Sequence, residues 1–280
     1  MSGQSEKEII ELKSNTIAVL IAVIFPAVVC RGAEDGNLGF TDTPFLPNSP
    51  WRVHDRNRPQ PPVVTPGTTC AQAPSDAVVL FDGKDLSQWE GKKGDLSAGV
   101  EDGSINILKT GDLLSKEKFG DCQLHIEWAT PPSPDTKLHS WWGNSGIFFL
   151  GKYELQVTES RESIHKADGQ AGAIYGQTPP LVNAARRPGE WQTYDVVFIA
   201  SRFDKDKLVA PAYFTVFWNG VLVQGHTACM GSTRYKTVPT YDCHDTVGPI
   251  KLQQHGSAVR FRNIWARRLP SEPTDKIRRD

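Results

Sequence analysis

The 280-residue sequence contains no Gly-x-Ser-x-Gly elbow, no phosphate-cradling Gly-x-x-x-x-Gly-Lys-Ser/Thr loop and no His-Glu-x-x-His pair. The commonest serine-hydrolase, nucleotide-binding and zinc-protease arrangements are therefore missing. Its five cysteines form no Cys-x-x-Cys pair, which removes the usual zinc and dithiol spacings. Charge of either sign is not in excess: the net charge is -1 and the pI about 6.7. Nothing in that balance draws the chain to nucleic acid or to an anionic membrane surface. Methionine occurs only twice, no internal repeat is visible, and helical periodicity is weak after residue 75. What is abundant is tryptophan, at 8, and glycine, at 24, in a chain that is 39% hydrophobic. With many short β-branched and aromatic runs, that composition predicts an all-β domain with a substantial core.

One long apolar run stands apart, "TIAVLIAVIFPAVVC", residues 16–30. It has the length of a signal-peptide core and is interrupted by Pro26, short of a comfortable span of ~20 residues. The preceding "MSGQSEKEIIELKSN" is long and partly acidic; a start nearer Leu12 would leave Lys13 as a compact positive end. Val29 before Cys30 argues against a lipoprotein processing site. Residues 1–30 are read as a signal peptide or, alternatively, an N-terminal anchor. The chain is expected to be exported, periplasmic or extracellular, with any membrane contact made through that anchor. Cys70, Cys122, Cys229 and Cys243 are then an even set suited to an oxidising compartment, with three connectivities open. Cys229–Cys243, within one loop-like segment, is the favoured pair.

Residues 31–76 form a Pro-rich extension holding eight of the 20 prolines, which excludes helices and central strands. It is expected to run extended. The compact domain spans 77–270, and 271–280 is a C-terminal tail. "DCQLHIEWAT" alternates, with Leu124, Ile126 and Trp128 on one face and Gln123, His125 and Glu127 on the other. "SGIFFLGKYELQVTES" reads as two strands around Gly151, followed by a Gly-rich loop through Tyr175. Asn219-Gly220, between two alternating apolar runs, predicts a tight hairpin, because a type I′ turn needs positive φ at both centres. Many strands joined by some long loops indicate a two-sheet jelly roll.

Three polar rows stand out on these strands: Glu127; Glu154 with Gln156; and Lys251, Gln253 and His255 in "KLQQHG". Each row alone is what a wet outer sheet face looks like. Together they supply carboxylates, amides, an amine and an imidazole, a set suited to sugar binding and proton transfer.

The motifs "LFDGKDLSQW", "GNSGIFF", "YELQV", "PGEWQTYDVVF", "WNGVLVQ", "GPIKLQQHG" and "VRFRNIWARRL" occur in that order over residues 77–270. Together they resemble the 3-keto-disaccharide hydrolase domain family. The resemblance implies a concanavalin-like β-jelly roll acting on glycosides already oxidised to a ketone at sugar carbon 3. Such a ketone acidifies the hydrogen on carbon 2, so a modest base can remove it, the carbon-1 substituent can leave, and water can add.

On that reading His255 is the base or proton shuttle, since an imidazole titrates near working pH. Lys251 is expected to stabilise the developing enolate. Glu154 is an alternative base, or a ligand for a divalent cation that polarises the ketone; no cofactor is otherwise indicated. Gln156 and Gln253 would hold sugar hydroxyls, with Glu127, Tyr175 and Asn144 as further substrate contacts. Asn144 is equally suited to shaping a turn.

Two other readings use the same residues. "ELQVTE", with Glu154 and Glu159, is similar to the Glu-x-Asp-x-x-Glu strand of laminarinase-like retaining glycosidases, although Gln156 replaces the central Asp. A carbohydrate-binding module without catalysis would instead use tryptophans such as Trp141 and Trp142 as stacking platforms.

Overall fold

The computed structural model describes residues 39–91, 96–132, 141–162 and 165–270. The apolar run with Cys30 and the tail after residue 270 lie outside the described residues. Two compact units are present, Met1–Pro59 and Gln60–Asp280.

In the first unit the Pro-rich chain folds back on itself instead of running extended. Isolated bridges join Phe40 to Asp55 and Phe45 to Arg52. The Arg52 guanidinium lies 4.0 Å from the centre of the Phe45 ring and donates to the Thr43 carbonyl at 2.5 Å. Pro44, Pro47 and Pro50 each remove a backbone donor, yet the turn keeps backbone bonds from the Leu46 N–H to the Trp51 carbonyl and from the Val53 N–H to the Pro44 carbonyl, both at 2.9 Å.

The second unit is a two-sheet jelly-roll sandwich. Its eight-stranded sheet runs in the order Val221–Ala228, Tyr213–Trp218, Gln192–Ile199, Cys122–Ala129, Arg260–Arg268, Ser104–Asn106 and Val100–Glu101. Val78–Phe81 joins it by pairing with Arg260–Arg268. The five-stranded sheet runs Trp89–Gly91, Leu113–Phe119, Gly248–Leu252, Ser145–Phe149 and Tyr153–Val157. All these pairings are antiparallel. A separate ribbon pairs Arg202–Asp204 with Lys207–Ala210.

Alternation decides which side chains meet between the sheets. Leu124, Ile126 and Trp128 face the core as their spacing requires, and Tyr153, Leu155 and Val157 face it from the other sheet. The layers interlock through aromatic rings: Phe149 stacks on Phe198 at 4.8 Å, and Tyr153 meets Phe198 at 5.8 Å. Each such fully buried side chain contributes about 1.5–3 kcal/mol relative to an exposed one. The Asn219-Gly220 hairpin closes with Trp218 opposite Val221 and φ of 51° and 81° at its two centres.

Two expectations change, one on an outer sheet face and one on a disulfide. His125 is fully buried: its Nδ1 lies 2.7 Å from Asp195 Oδ1, and its ring stacks on Trp265 at 5.3 Å. Trp265 Nε1 and Asn263 Nδ2 both donate to the Ala71 carbonyl, so the segment before the first strand covers this patch. The favoured Cys229–Cys243 disulfide is not formed, and Cys70 and Cys122 are also unpaired. Cys229 is buried with its N–H on the Ala212 carbonyl, whereas Cys243 is exposed with Sγ against the Lys205 carbonyl.

Candidate functional site

Tyr153–Val157 is the last strand of the five-stranded sheet, so one of its edges has no strand partner. The Gly-rich loop supplies one. Gln156 N–H bonds the Ala173 carbonyl at 3.0 Å, Gly172 N–H the Gln156 carbonyl at 3.1 Å, and Tyr175 N–H the Glu154 carbonyl at 3.1 Å. A second loop joins the same edge. Thr233 Oγ1 accepts from Glu154 N–H at 2.9 Å, and Thr233 N–H donates to the Lys152 carbonyl at 2.9 Å. Together the two loops bury a polar row that strand alternation alone would leave wet. Glu154 is 5% exposed and Gln156 1%.

A cavity of about 700 Å³ opens over this row. Glu154, Gln156, Asn144, Gln253 and His255 line it together with Phe148, while Trp141, Tyr175 and Tyr235 form its aromatic wall. Burial pushes the Glu154 carboxyl up to about 8, and the nearby Lys251 charge pulls it only part of the way back. Glu154 is therefore largely an uncharged acid at neutral pH. No side chain among the described residues hydrogen-bonds its carboxyl group, so the group stands ready for a ligand.

Gln156 carries a second open valence. Its Nε2 reaches the Asn144 Oδ1 and the Gly169 carbonyl, both at 3.4 Å. Because a backbone carbonyl can only accept, the amide nitrogen must face that way. Among the described residues the Oε1 is left buried without a hydrogen-bond partner, an arrangement that costs on the order of 1–3 kcal/mol unless a bound group donates to it. Trp141, 39% exposed at this cavity, holds φ at 141°, a costly backbone for an L-residue.

Six of the eight sequence-derived site residues thus converge: His255, Glu154, Gln156, Gln253, Tyr175 and Asn144. Lys251 does not line the cavity. The strand ends at Leu252, so the two-residue period does not carry Lys251, Gln253 and His255 along one row. Its Nζ instead lies 2.8 Å from Asp112 Oδ2 and 5.1 Å from the centre of the Phe148 ring. Glu127 belongs to the other sheet, where its Oε2 accepts from Arg262 Nε at 2.7 Å and its Oε1 from Asn263 Nδ2 at 2.9 Å.

Glu159 is also drawn off, because one of its oxygens caps the following turn by accepting from the N–H groups of Arg161 and Glu162, at 2.5 and 3.0 Å. A retaining pair with Glu154 finds no second carboxylate lining the cavity among the described residues. Trp142 turns away from its neighbour to bond the Pro131 carbonyl at 3.1 Å. Among the described residues, no group of three His, Cys, Asp or Glu side chains could hold a metal ion.

Sequence reasoning missed Gly146, Phe148, Thr233 and Tyr235. Gly146 carried a signal, since a glycine inside a strand often marks a close approach. Thr233 and Tyr235 sit in a loop with no periodic pattern.

A family model described as the 3-keto-alpha-glucoside-1,2-lyase-like domain matches residues 76–267. No curated protein matches the sequence. Among solved structures, the chain is similar to a candidate glycosyl hydrolase from Parabacteroides distasonis, at 44% identity and a TM-score of 0.70. That match covers 78% of this chain and 97% of the other. A second candidate glycosyl hydrolase from the same organism shares the fold at 22% identity and a TM-score of 0.51, covering 69% of this chain and 99% of its own.

Proposed function

We propose, because the chain belongs to the 3-keto-alpha-glucoside-1,2-lyase-like family, that it cleaves the glycosidic bond of 3-keto-glycosides. Family membership and the 44% identical structure support the coarser assignment of a glycosidase-like enzyme acting on carbohydrate. The finer reading rests above all on one observation: a carboxyl pushed up to about 8 by burial lines a cavity beside an unpartnered amide oxygen.

That arrangement suits the chemistry of a 3-ketone. His255, exposed at the cavity, takes the hydrogen from carbon 2. As charge moves onto the ketone oxygen, the uncharged Glu154 donates to it, a role for which a raised carboxyl is suited. Collapse of the enolate forms the C1=C2 double bond and breaks the bond from carbon 1 to the leaving oxygen, which takes its proton from the His255 imidazolium. Water then adds at carbon 1 and carbon 2 is reprotonated. The net reaction is 3-keto-glycoside plus water to 3-keto sugar plus alcohol. Gln156 Oε1 accepts a sugar hydroxyl, and Asn144 and Gln253 lie within the same polar wall. Lys251 acts from behind Phe148 as a fixed charge.

Aglycone release from a 3-keto-glucoside, compared with its unoxidised parent, tests the reading. Release from the keto compound alone is expected, with loss of turnover in Glu154→Gln and His255→Ala. Equal release from the parent glucoside, or release from neither, overturns it.

A further inference from the structure

A second cavity, of about 470 Å³, adjoins the first and shares its aromatic wall of Trp141, Tyr175 and Tyr235. Its remaining surface differs in kind. Among the described residues, Lys166, Arg234 and Lys236 line it against a single carboxylate, Asp168. Arg234 is partly spent, since its Nη2 lies 3.0 Å from Asp242 Oδ2. Lys166 and Lys236 still outnumber Asp168, and Met230 and Val238 add apolar surface that is 58% and 78% exposed.

The walls of this second cavity are fastened to the floor of the first. Thr233, one residue before Arg234, holds the Glu154 N–H. The Gly169 carbonyl, one residue after Asp168, holds the Gln156 amide. A displacement of either lysine-bearing loop must therefore be felt at the two residues that line the reaction cavity. Open space also remains for an occupant: a Cβ added at Gly169 would meet nothing within 4 Å.

We infer that this second cavity is the leaving-group subsite and that it selects leaving groups bearing a carboxylate. The assignment of a leaving-group role rests on the 3-keto-glycoside reading; the preference for a carboxylate does not. The sugar ring under attack occupies the neutral, amide-lined cavity beside Glu154 and His255. Its carbon-1 substituent extends past Trp141 and Tyr235, stacks on their rings, and brings its acid group to Lys166 and Lys236. An aromatic acid and a uronic acid both present this chemistry, since both join a ring face to a carboxylate.

The full chain is titrated, by ligand-observed NMR into the millimolar range, with two matched pairs: 4-hydroxybenzoate against 4-hydroxybenzamide, and glucuronate against glucose. In each pair the neutral member keeps the ring and loses the charge. The acid of at least one pair is expected to bind about fivefold more tightly, as two exposed ion pairs allow, and the pair that shows it identifies the source. The advantage should shrink with added salt. It should vanish in Lys166→Gln/Lys236→Gln, leaving the neutral ligand's affinity unchanged. Equal affinities in both pairs, an advantage that survives the double substitution, or no binding of either acid overturns the inference. These outcomes do not depend on turnover of a 3-keto substrate, so a chain that prefers the acid yet releases no aglycone would sink the catalytic reading and leave the site standing.

Discussion

A Cβ built on Gly146 would stand 2.4 Å from Glu154 Oε1 and 3.0 Å from its Cδ. The two residues lie on neighbouring strands of the five-stranded sheet, Phe148 being directly opposite Glu154. Glycine at 146 is thus what allows the carboxyl group to lie where it does.

Gly146→Ala should therefore move the acid and leave the fold. The clash falls on the end of a side chain that can rotate, and Gly146 has no positive φ to strain an alanine. An expected loss of about a hundredfold in kcat, as a misplacement of about 1 Å can cause, should come with a small change in Tm. A large fall in Tm, or unchanged kcat, would show that Gly146 does not position Glu154.

Burial of Glu154 also sets a pH dependence of stability with an unusual sign. Its folded value of about 8 lies above the ordinary 4.5, so between them the folded state holds a proton that the unfolded state has released. Stability from this group is full below about pH 4.5 and is lost as pH rises through 8, by an amount on the order of 5 kcal/mol. Glu154→Gln cannot ionise, so its stability measured by urea unfolding should fall less between pH 5 and 8 than that of the native protein. Parallel curves for the two would refute the burial of a titrating carboxyl.

Gln156→Leu separates binding from folding. Removing the buried acceptor without a partner offsets the loss of the two long Nε2 bonds to Asn144 and Gly169, so Tm should change little. Turnover of the substrate should nevertheless suffer, because the acceptor for a sugar hydroxyl is gone, with kcat/KM down by about tenfold or more. A variant with full activity would mean that Oε1 meets no substrate.

Much of the fold was legible because burial follows a period of two. Leu124, Ile126 and Trp128 face the core as their spacing requires, and Asn219-Gly220 turns where its conformational demands allow. The site was legible as residue types but less so as a place. Glu154 and Gln156 could be put on one strand face; that the Gly172–Tyr175 segment and the loop of Thr233 would seal that face is a long-range fact with no local pattern. Lys251 and Glu127 lie off the cavity lining for the same reason, each held by a partner distant in sequence, Asp112 for the amine and Arg262 for the carboxylate. Phe40 to Asp55 shows a further limit, since proline content rules out ladders but does not distinguish extended chain from turns.

Cysteine chemistry offers a test of a different part of the molecule. Cys70 and Cys243 are exposed, whereas Cys122 and Cys229 are buried. Burial pushes the Cys122 thiol up to about 12 and raises that of Cys229 as well, and a thiol held protonated is a poor nucleophile. Peptide mapping after brief alkylation of the native protein should find label on Cys70 and Cys243 and almost none on Cys122 and Cys229. Unfolding in denaturant without reductant should then expose both buried thiols to label. If Cys229 stayed unlabelled until a reductant was added, it would be disulfide-bonded in solution. The loop from Cys229 to Cys243, which carries Thr233 and both Arg234 and Lys236, would then have to be repositioned, and with it the wall that the two cavities share at Tyr235.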